Sequence, residues 1–204
     1  MLAVAKDLMA EAGELHVFLR RLDPTDWQRP THFKSWTPWD VMALRLGECD
    51  PARRLPWSGP DMGVRTFTTA RHIETWAHAQ AVYDLKGVER LHTDRIEHIC
   101  TIGIETFGWT SANRKLEISV PTPYVRLVAP SGAIWEWNEP SEIERVEGEA
   151  VDFCQAVTQT PNVADTGLRI SGSVARHWMS IAQCFAGALS DPPPPGVRWA
   201  GVTR

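Results

Sequence analysis

The chain has 204 residues, of which 43% are apolar and 23% are charged. This composition is that of an ordinary folded protein and excludes a disordered or fibrous one. The net charge of −4 argues against a nucleic-acid or membrane-surface footprint. No apolar run approaches the ~18 residues of a membrane-spanning helix, and acidic residues interrupt the N-terminal region where a signal peptide is apolar. We therefore expect a cytoplasmic protein that binds neither nucleic acid nor membranes.

The four cysteines are far apart and form no CxxC pair. They are Cys49, Cys100, Cys154 and Cys184. In a chain without an export signal, this spacing predicts buried thiols and not a framework of disulfides.

The first 88 residues are predicted to be helical. An apolar stripe at helical spacing predicts an amphipathic helix from Leu2 to Leu22. The sequence Thr37-Pro38-Trp39-Asp40 is a strong helix start, yet that helix meets Gly47 and Asp50-Pro51 almost at once. From Met62 a second stripe predicts a long helix, which Lys86-Gly87 ends. Its apolar residues are Phe67, Ala70, Ala77, Ala81 and Leu85, with Ile73, Trp76 and Tyr83 beside them.

Residues 89–187 are predicted to form a second domain of the α+β class, because the apolar period changes from 3.6 to 2 after residue 115. The predicted elements are a helix from Thr93-Asp94, a hairpin of Tyr124–Val128 and Ala133–Trp137, a strand over Glu142–Val146, a helix over Glu149–Thr158, a strand over 168–170 and a helix from Ser171 or Ser173 to Gly187. The proline-rich residues 188–204 are expected to form a flexible tail.

Glu74 and His78 form the best candidate for a functional site. Residues four apart share one face of a helix, and both fall within the apolar stripe, so a carboxylate and an imidazole can converge inside the domain. This donor pair suits zinc or a similar divalent metal, provided that another element supplies at least one more ligand. The alternative is a hydrogen-bonded pair that only holds His78 in place.

Other polar residues have structural explanations in the sequence pattern. The helical period places His72 on the surface, Cys100 in a core and His98 in solvent. The sequence Ser171-Gly172-Ser173 opens a helix, where it can bind an anion or simply cap the helix.

Several stretches, in order along the chain, resemble the mycothiol-dependent maleylpyruvate isomerase-like family of the DinB-like metal-binding superfamily. They are SWTPWD (35–40), RLPWSGPDM (54–62), TARHIETWAHAQ (69–80), RVEGEAVDFC (145–154) and IAQCFAG (181–187). The resemblance implies a DinB-like four-helix bundle over residues 1–88 and a sterol-carrier-protein-like α+β domain over 89–187. It also implies a divalent metal, usually zinc, that activates mycothiol or another small thiol for isomerisation or transfer.

The resemblance further implies a ligand set in which Glu74 and His78 match the pair on the last helix of the bundle. The family's remaining ligand, a His on the second helix, does not match, because Leu44 stands at that position. The rest of that helix and most of the next are absent from the sequence, either through a shortening of the chain or because a segment is missing. We therefore expect weak or partial zinc occupancy.

Two hypotheses for function follow. The first is a thiol-dependent isomerase or transferase, acting on a small molecule, with an incomplete metal site. The second is a non-catalytic module that binds an apolar ligand or a protein partner; a truncated product without activity is a further alternative. Because a shortened bundle would leave apolar stripes uncovered, we also expect a homodimer that rebuilds the bundle from two copies.

Overall fold

In a computed structural model of the chain, the structure describes residues 3–31, Pro38, 54–55 and 62–198. These residues form two compact units. The helical unit comprises the described residues up to Arg90, together with 185–187. The sheet unit comprises Leu91–Cys184 and Ala188–Arg198. The predicted shortening around Leu44 lies outside the described residues, as does Cys49.

The helical unit is built on two helices, α1 (Ala3–Leu19) and α2 (Val64–Lys86). Leu15 and Leu19 of α1 pack against Ala79 and Val82 of α2. A two-residue strand β1 (Arg54–Leu55) pairs with β2 (Met62–Gly63), so α2 begins two residues later than the sequence predicts. The stop at Gly87 is confirmed, since this residue adopts a φ of 61°.

The apolar stripe of α1 is buried within a single chain, at Val4, Leu8, Leu15 and Leu19. These side chains therefore do not need a second copy of the chain to cover them. The homodimer stays a prediction.

Helix α2 is buried on nearly all sides, although its sequence suggests one apolar face. Ten of the eleven residues from His72 to Val82 are buried, Glu74 being the exception. The prediction that His72 lies on the surface is wrong: its side chain is fully buried, at 0% exposure. The helical period predicts a surface position only if that side of the helix meets water, and the side of α2 that carries His72 does not.

The sheet unit contains four helices and a four-stranded sheet. Its elements are α3 (Glu97–Glu105), α4 (Phe107–Asn113), β3 (Tyr124–Val128), β4 (Ile134–Trp137), β5 (Arg145–Glu149), α5 (Ala150–Val157), β6 (Arg169–Ser171) and α6 (Ser173–Ile181). The strand order is β4-β3-β5-β6, with β3 and β5 parallel and the outer pairings antiparallel. The α+β class is therefore confirmed. None of the helices within the described residues is long and apolar enough to cross a membrane.

One face of this sheet supplies the core and the other carries charge. Val125, Leu127 and Val146 are buried on the core face, with Phe153 and Trp178 of the helices. On the opposite face, the register aligns a row of alternating charge across the four strands: Glu136, Arg126, Glu147 and Arg169. Opposite charges on neighbouring strands stabilise a water-facing side of a sheet.

The cysteine prediction is confirmed for the three cysteines that the structure describes. Cys100, Cys154 and Cys184 are buried and form no disulfide. The Sγ atoms of Cys100 and Cys154 lie 3.4 Å apart, and burial raises the pKa of the Cys154 thiol well above its usual value. His98, expected in solvent, is half-buried.

Several element boundaries differ from the predictions, and two of the differences have local reasons. Helix α3 ends at Glu105 because the Thr106 hydroxyl donates to the Ile102 carbonyl, 2.7 Å away, and α4 then begins as a separate helix. Strand β5 begins at Arg145 and not at Glu142. The two residues that precede the strand, Ile143 and Glu144, donate their N–H groups to the Ser141 hydroxyl and so form a turn. The last helix ends at Ile181, six residues before Gly187.

A buried carboxylate organises the start of α6. Glu144 is 6% exposed and accepts a hydrogen bond of 2.8 Å from the Ala175 N–H in the first turn of α6. A carboxylate at this end of a helix is favoured by the helix dipole. Of the two alternatives for Ser171-Gly172-Ser173, an anion site or a cap, the structure shows a carboxylate of the chain itself at this helix start. Gly172 is required here because its φ is 88° and a Cβ would lie 2.2 Å from the Glu144 carboxyl carbon.

We predict that Gly172→Ala destabilises the protein more than Gly132→Ala does. Both glycines have nearly the same positive φ, 88° and 86°, but nothing lies within 4 Å of a Cβ built on Gly132. The hairpin substitution should cost roughly 1–2 kcal/mol of backbone strain. The Gly172 substitution should cost about 1–3 kcal/mol more, because it displaces a buried hydrogen-bonded carboxylate and its Cβ would lie 2.4 Å from the Ile143 carbonyl oxygen. Urea unfolding of both variants measures the difference, and equal losses would contradict the proposed role of Glu144.

Candidate functional site

Glu74 and His78 meet on α2. His78 Nε2 lies 2.8 Å from Glu74 Oε2, within hydrogen-bond distance. The His78 side chain is 5% exposed and that of Glu74 is 21% exposed, so the pair is reached from solvent on the carboxylate side. Their separation by one helical turn produces this contact directly.

The contact fits both hypotheses made for this pair. A proton on Nε2 lets the imidazole donate to the carboxylate, which is the structural alternative. A metal at the same place would replace that proton, because a ligating imidazole nitrogen must be free of hydrogen. Two ligands of a tetrahedral zinc lie ~3.4 Å apart, so the pair would open by only about half an ångström.

The part of the chain that the structure describes contains no group of three or more His, Cys, Asp or Glu side chains that could hold a metal ion. His72 does not join the pair, because two residues correspond to a rotation of about 200° around the helix axis. The chain as described therefore brings together the two predicted ligands and no third one. Leu44 lies outside the described residues.

Among the described residues of the helical unit, an extensive set of polar contacts centres on Arg90, which was not predicted from the sequence. Its guanidinium donates to the Glu11 carboxylate on α1 and, at 2.8 Å, to the Trp76 carbonyl on α2. It also lies over the rings of Trp76 and Tyr83, 5.5 and 5.2 Å from their centroids. Arg90 and Glu11 are 7% and 3% exposed, so this is a buried ion pair.

The electrostatics of this ion pair follow from its burial. Loss of water lowers the pKa of Arg90, while the negative charge of Glu11 opposes that shift. A guanidinium remains protonated nevertheless, so the charge must be matched inside the protein. The same burial raises the pKa of the neighbouring Tyr83 hydroxyl.

A signal for Glu11 was present in the sequence. Val4, Leu8, Glu11, Leu15 and Leu19 follow one another at spacings of four, three, four and four residues, so Glu11 occupies a position of the apolar stripe of α1. A stripe assigned by hydrophobicity alone leaves this acid out. An acid at such a position predicts a buried partner of opposite charge.

Two further polar contacts stabilise the helical unit. Asp26 is buried in the loop after α1, and its Oδ2 accepts a hydrogen bond of 2.6 Å from Lys86, the last residue of α2. This hydrogen bond is the main reason why the pKa of Asp26 is lowered. Gln80 donates to Asp84 at 2.8 Å, one turn further along α2. Neither contact was predicted from the sequence.

Comparisons with known proteins give relatives but no activity. No family model matches the chain, and no solved structure matches it. Two uncharacterized proteins of Mycobacterium tuberculosis, from strains CDC 1551 / Oshkosh and H37Rv, are each 37% identical to it over 164 residues. The aligned region is 78% of this chain and 62% of each relative, so the chain spans less than two thirds of the length of the proteins it matches.

We predict that removing one partner of the Arg90–Glu11 pair is far more harmful than replacing both. Glu11→Leu alone leaves a buried cation unmatched and should cost about 3–5 kcal/mol, whereas Glu11→Leu with Arg90→Met should recover much of that loss. Chemical denaturation of the two single variants and the double variant measures the coupling, expected at about 1–3 kcal/mol.

Arg29→Met is the matched control for this cycle. Arg29 is 53% exposed in its side chain and pairs with Asp26, so its replacement should change stability by less than ~1 kcal/mol. Additive losses at Glu11 and Arg90 would show that the two side chains do not act as a pair.

Proposed function

We propose that this chain is a metal-binding protein of the mycothiol-dependent maleylpyruvate isomerase-like family, with Glu74 and His78 as two ligands of a divalent metal. Zinc is the expected ion, held weakly because the site is incomplete. Within this proposal the chain is a thiol-dependent isomerase or transferase for a small molecule. Mycothiol or a similar thiol would be the cofactor.

The observation that carries the proposal is the 2.8 Å approach of an imidazole nitrogen to a carboxylate oxygen on a buried helix. Nitrogen and oxygen donors of this kind are common ligands of zinc. The order of the two units, helical and then α+β, agrees with the arrangement that the sequence resemblance implies. The helical unit would correspond to the DinB-like part and the sheet unit to the sterol-carrier-like part.

A metal bound here would supply a Lewis acid that lowers the pKa of a thiol, so that the thiolate forms at neutral pH. The chain's own residues would position and neutralise the ion. His78 is fixed by its burial, while the more exposed Glu74 contributes negative charge on the side that solvent reaches. The remaining positions would be filled by water or by the thiol.

We expect the purified protein to bind zinc with a low affinity that depends on Glu74 and His78. In a titration with zinc followed by calorimetry, Glu74→Gln and His78→Gln should each weaken binding at least tenfold, because each removes one of two ligands.

The control variant is Asp84→Asn. It alters a buried polar pair with the same spacing on the same helix, at the same distance of 2.8 Å, and should leave zinc binding unchanged. Zinc that stays bound in a 1:1 ratio after dialysis against a chelator would contradict the weak site. An unchanged affinity in the Glu74 and His78 variants would contradict the assignment of the ligands.

A second candidate function is the non-catalytic binding of an apolar ligand by the sheet unit. Trp135 and Trp137 pair in register with the buried Leu127 and Val125, so they occupy the core side of the sheet, yet both are only half-buried at the edge strand β4. Their rings meet edge to face, with centroids 6.3 Å apart. Such aromatic surface at the margin of a core is suited to contact with an aliphatic chain.

A fluorescent fatty-acid analogue tests this second candidate. Saturable binding should weaken about three- to tenfold in Trp135→Ala and Trp137→Ala, since each removes apolar contact area. Trp109→Ala is the control, because Trp109 lies on α4 and is 36% exposed. The candidate fails if the unmodified protein shows no saturable binding.

A further inference from the structure

The segment 188–198 lies along the sheet unit and is fixed there by side chains from several elements. Arg114, at the end of α4, donates to Asp191 Oδ1 at 2.6 Å and to the Ser190 carbonyl. Asn162 donates to the Pro193 carbonyl at 2.9 Å. A flexible tail, which the sequence predicts for this segment, would not make these contacts, so the structure differs from the prediction over residues 188–198. Residues 199–204 lie outside the described residues.

The hydrogen-bonding pattern of the site matches that of a proline-rich strand. The four residues 192–195 are prolines, which offer carbonyl acceptors but no N–H donors. Along and just before this run the protein presents donors, since Asn162 reaches the Pro193 carbonyl and Gln159 Nε2 reaches the Ser190 carbonyl at 2.9 Å.

Where N–H groups return on either side of the prolines, the protein presents acceptors. The Ser190 N–H donates to Gln183 Oε1 at 3.1 Å, and the Gly196 N–H donates to both carboxylate oxygens of Asp165, at 2.8 and 2.9 Å. The site therefore supplies a donor to the Pro193 carbonyl and acceptors to the flanking amides. These contacts address the backbone, so they select a chain without N–H groups in its centre more than a particular set of side chains.

The site residues are also held in place by the sheet unit itself. Gln159 and Gln183 are 5% and 1% exposed. Gln159 adopts a φ of 56° and shares its side-chain amide with the Ala182 carbonyl at 2.9 Å. A non-glycine residue in the left-handed region is uncommon and costs backbone strain. A rigid, pre-positioned set of donors is what binds an extended peptide with little loss of freedom.

From this complementarity we infer that the sheet unit carries a binding site for a proline-rich peptide, and that residues 188–198 occupy the site as an exchangeable ligand in cis. The site consists of Arg114, Gln159, Asn162, Asp165 and Gln183. This assignment is independent of the metal proposed for the helical unit.

The test is to cleave the full chain before the segment and to measure whether an added peptide replaces the segment. A protease recognition sequence is inserted after Gly187, which is exposed and has open space around it. After cleavage, the C-terminal fragment should co-elute with the folded body in gel filtration. A fluorescein-labelled synthetic peptide of residues 188–198 should then displace it, as followed by fluorescence anisotropy.

Two comparisons make the exchange specific. Asn162→Ala and Arg114→Ala should each weaken peptide binding about tenfold, whereas Lys115→Ala, which replaces an exposed basic residue beside Arg114, should not change it. A peptide with alanine in place of the four prolines should also bind at least tenfold more weakly, because it introduces N–H groups that the site does not accept and loses the preformed extended conformation.

Three results would overturn the inference. The first is a fragment that leaves the folded body and does not rebind at micromolar concentration. The second is unfolding of the body when the fragment is released, as reported by circular dichroism, which would make the segment part of the core. The third is equal affinity for the proline and alanine peptides.

Discussion

A buried arginine sets the register of the helical unit. Because a guanidinium cannot lose its charge inside a protein, Arg90 requires an anion and polar partners at fixed places. Glu11 provides the anion from α1 and the Trp76 carbonyl provides an acceptor from α2, while Trp76 and Tyr83 offer their ring faces. Sliding either helix by one turn would leave a buried charge unmatched. The apolar contacts of Leu15 and Leu19 with Ala79 and Val82 then form around this pair.

The sheet unit uses a buried carboxylate in a comparable way, but with a different partner. Glu144 is satisfied by an N–H group at the start of α6, and Gly172 leaves room for it. In both units one inward-facing acid couples an element to a distant part of the chain. The cost of removing the charge from water is offset only when the partner is correctly placed, so each acid selects one arrangement of its surroundings.

The extensive burial of α2 between His72 and Val82 also explains why its polar pairs are hard to tell apart from spacing. Glu74–His78 and Gln80–Asp84 have the same separation in sequence and the same distance of 2.8 Å in the structure. A helix that has little contact with water must satisfy its polar side chains with protein groups, and here they pair along the helix itself. What distinguishes the first pair is its donor chemistry and the partial exposure of Glu74.

The sequence by itself determined the local features: the α+β class, the stop of α2 at Gly87, the turn at Gly132 and the burial of Cys100 and Cys154. These follow from apolar period and backbone preference, which act over a few neighbouring residues. Only the tertiary structure decided that His72 is buried, that Glu11 meets Arg90 across 79 positions, and that residues 188–198 bind to the sheet unit. A single-helix argument cannot reveal how many sides of a helix are covered, nor which distant cation matches a buried acid. Those outcomes depend on desolvation, which is set by every element that packs around the residue.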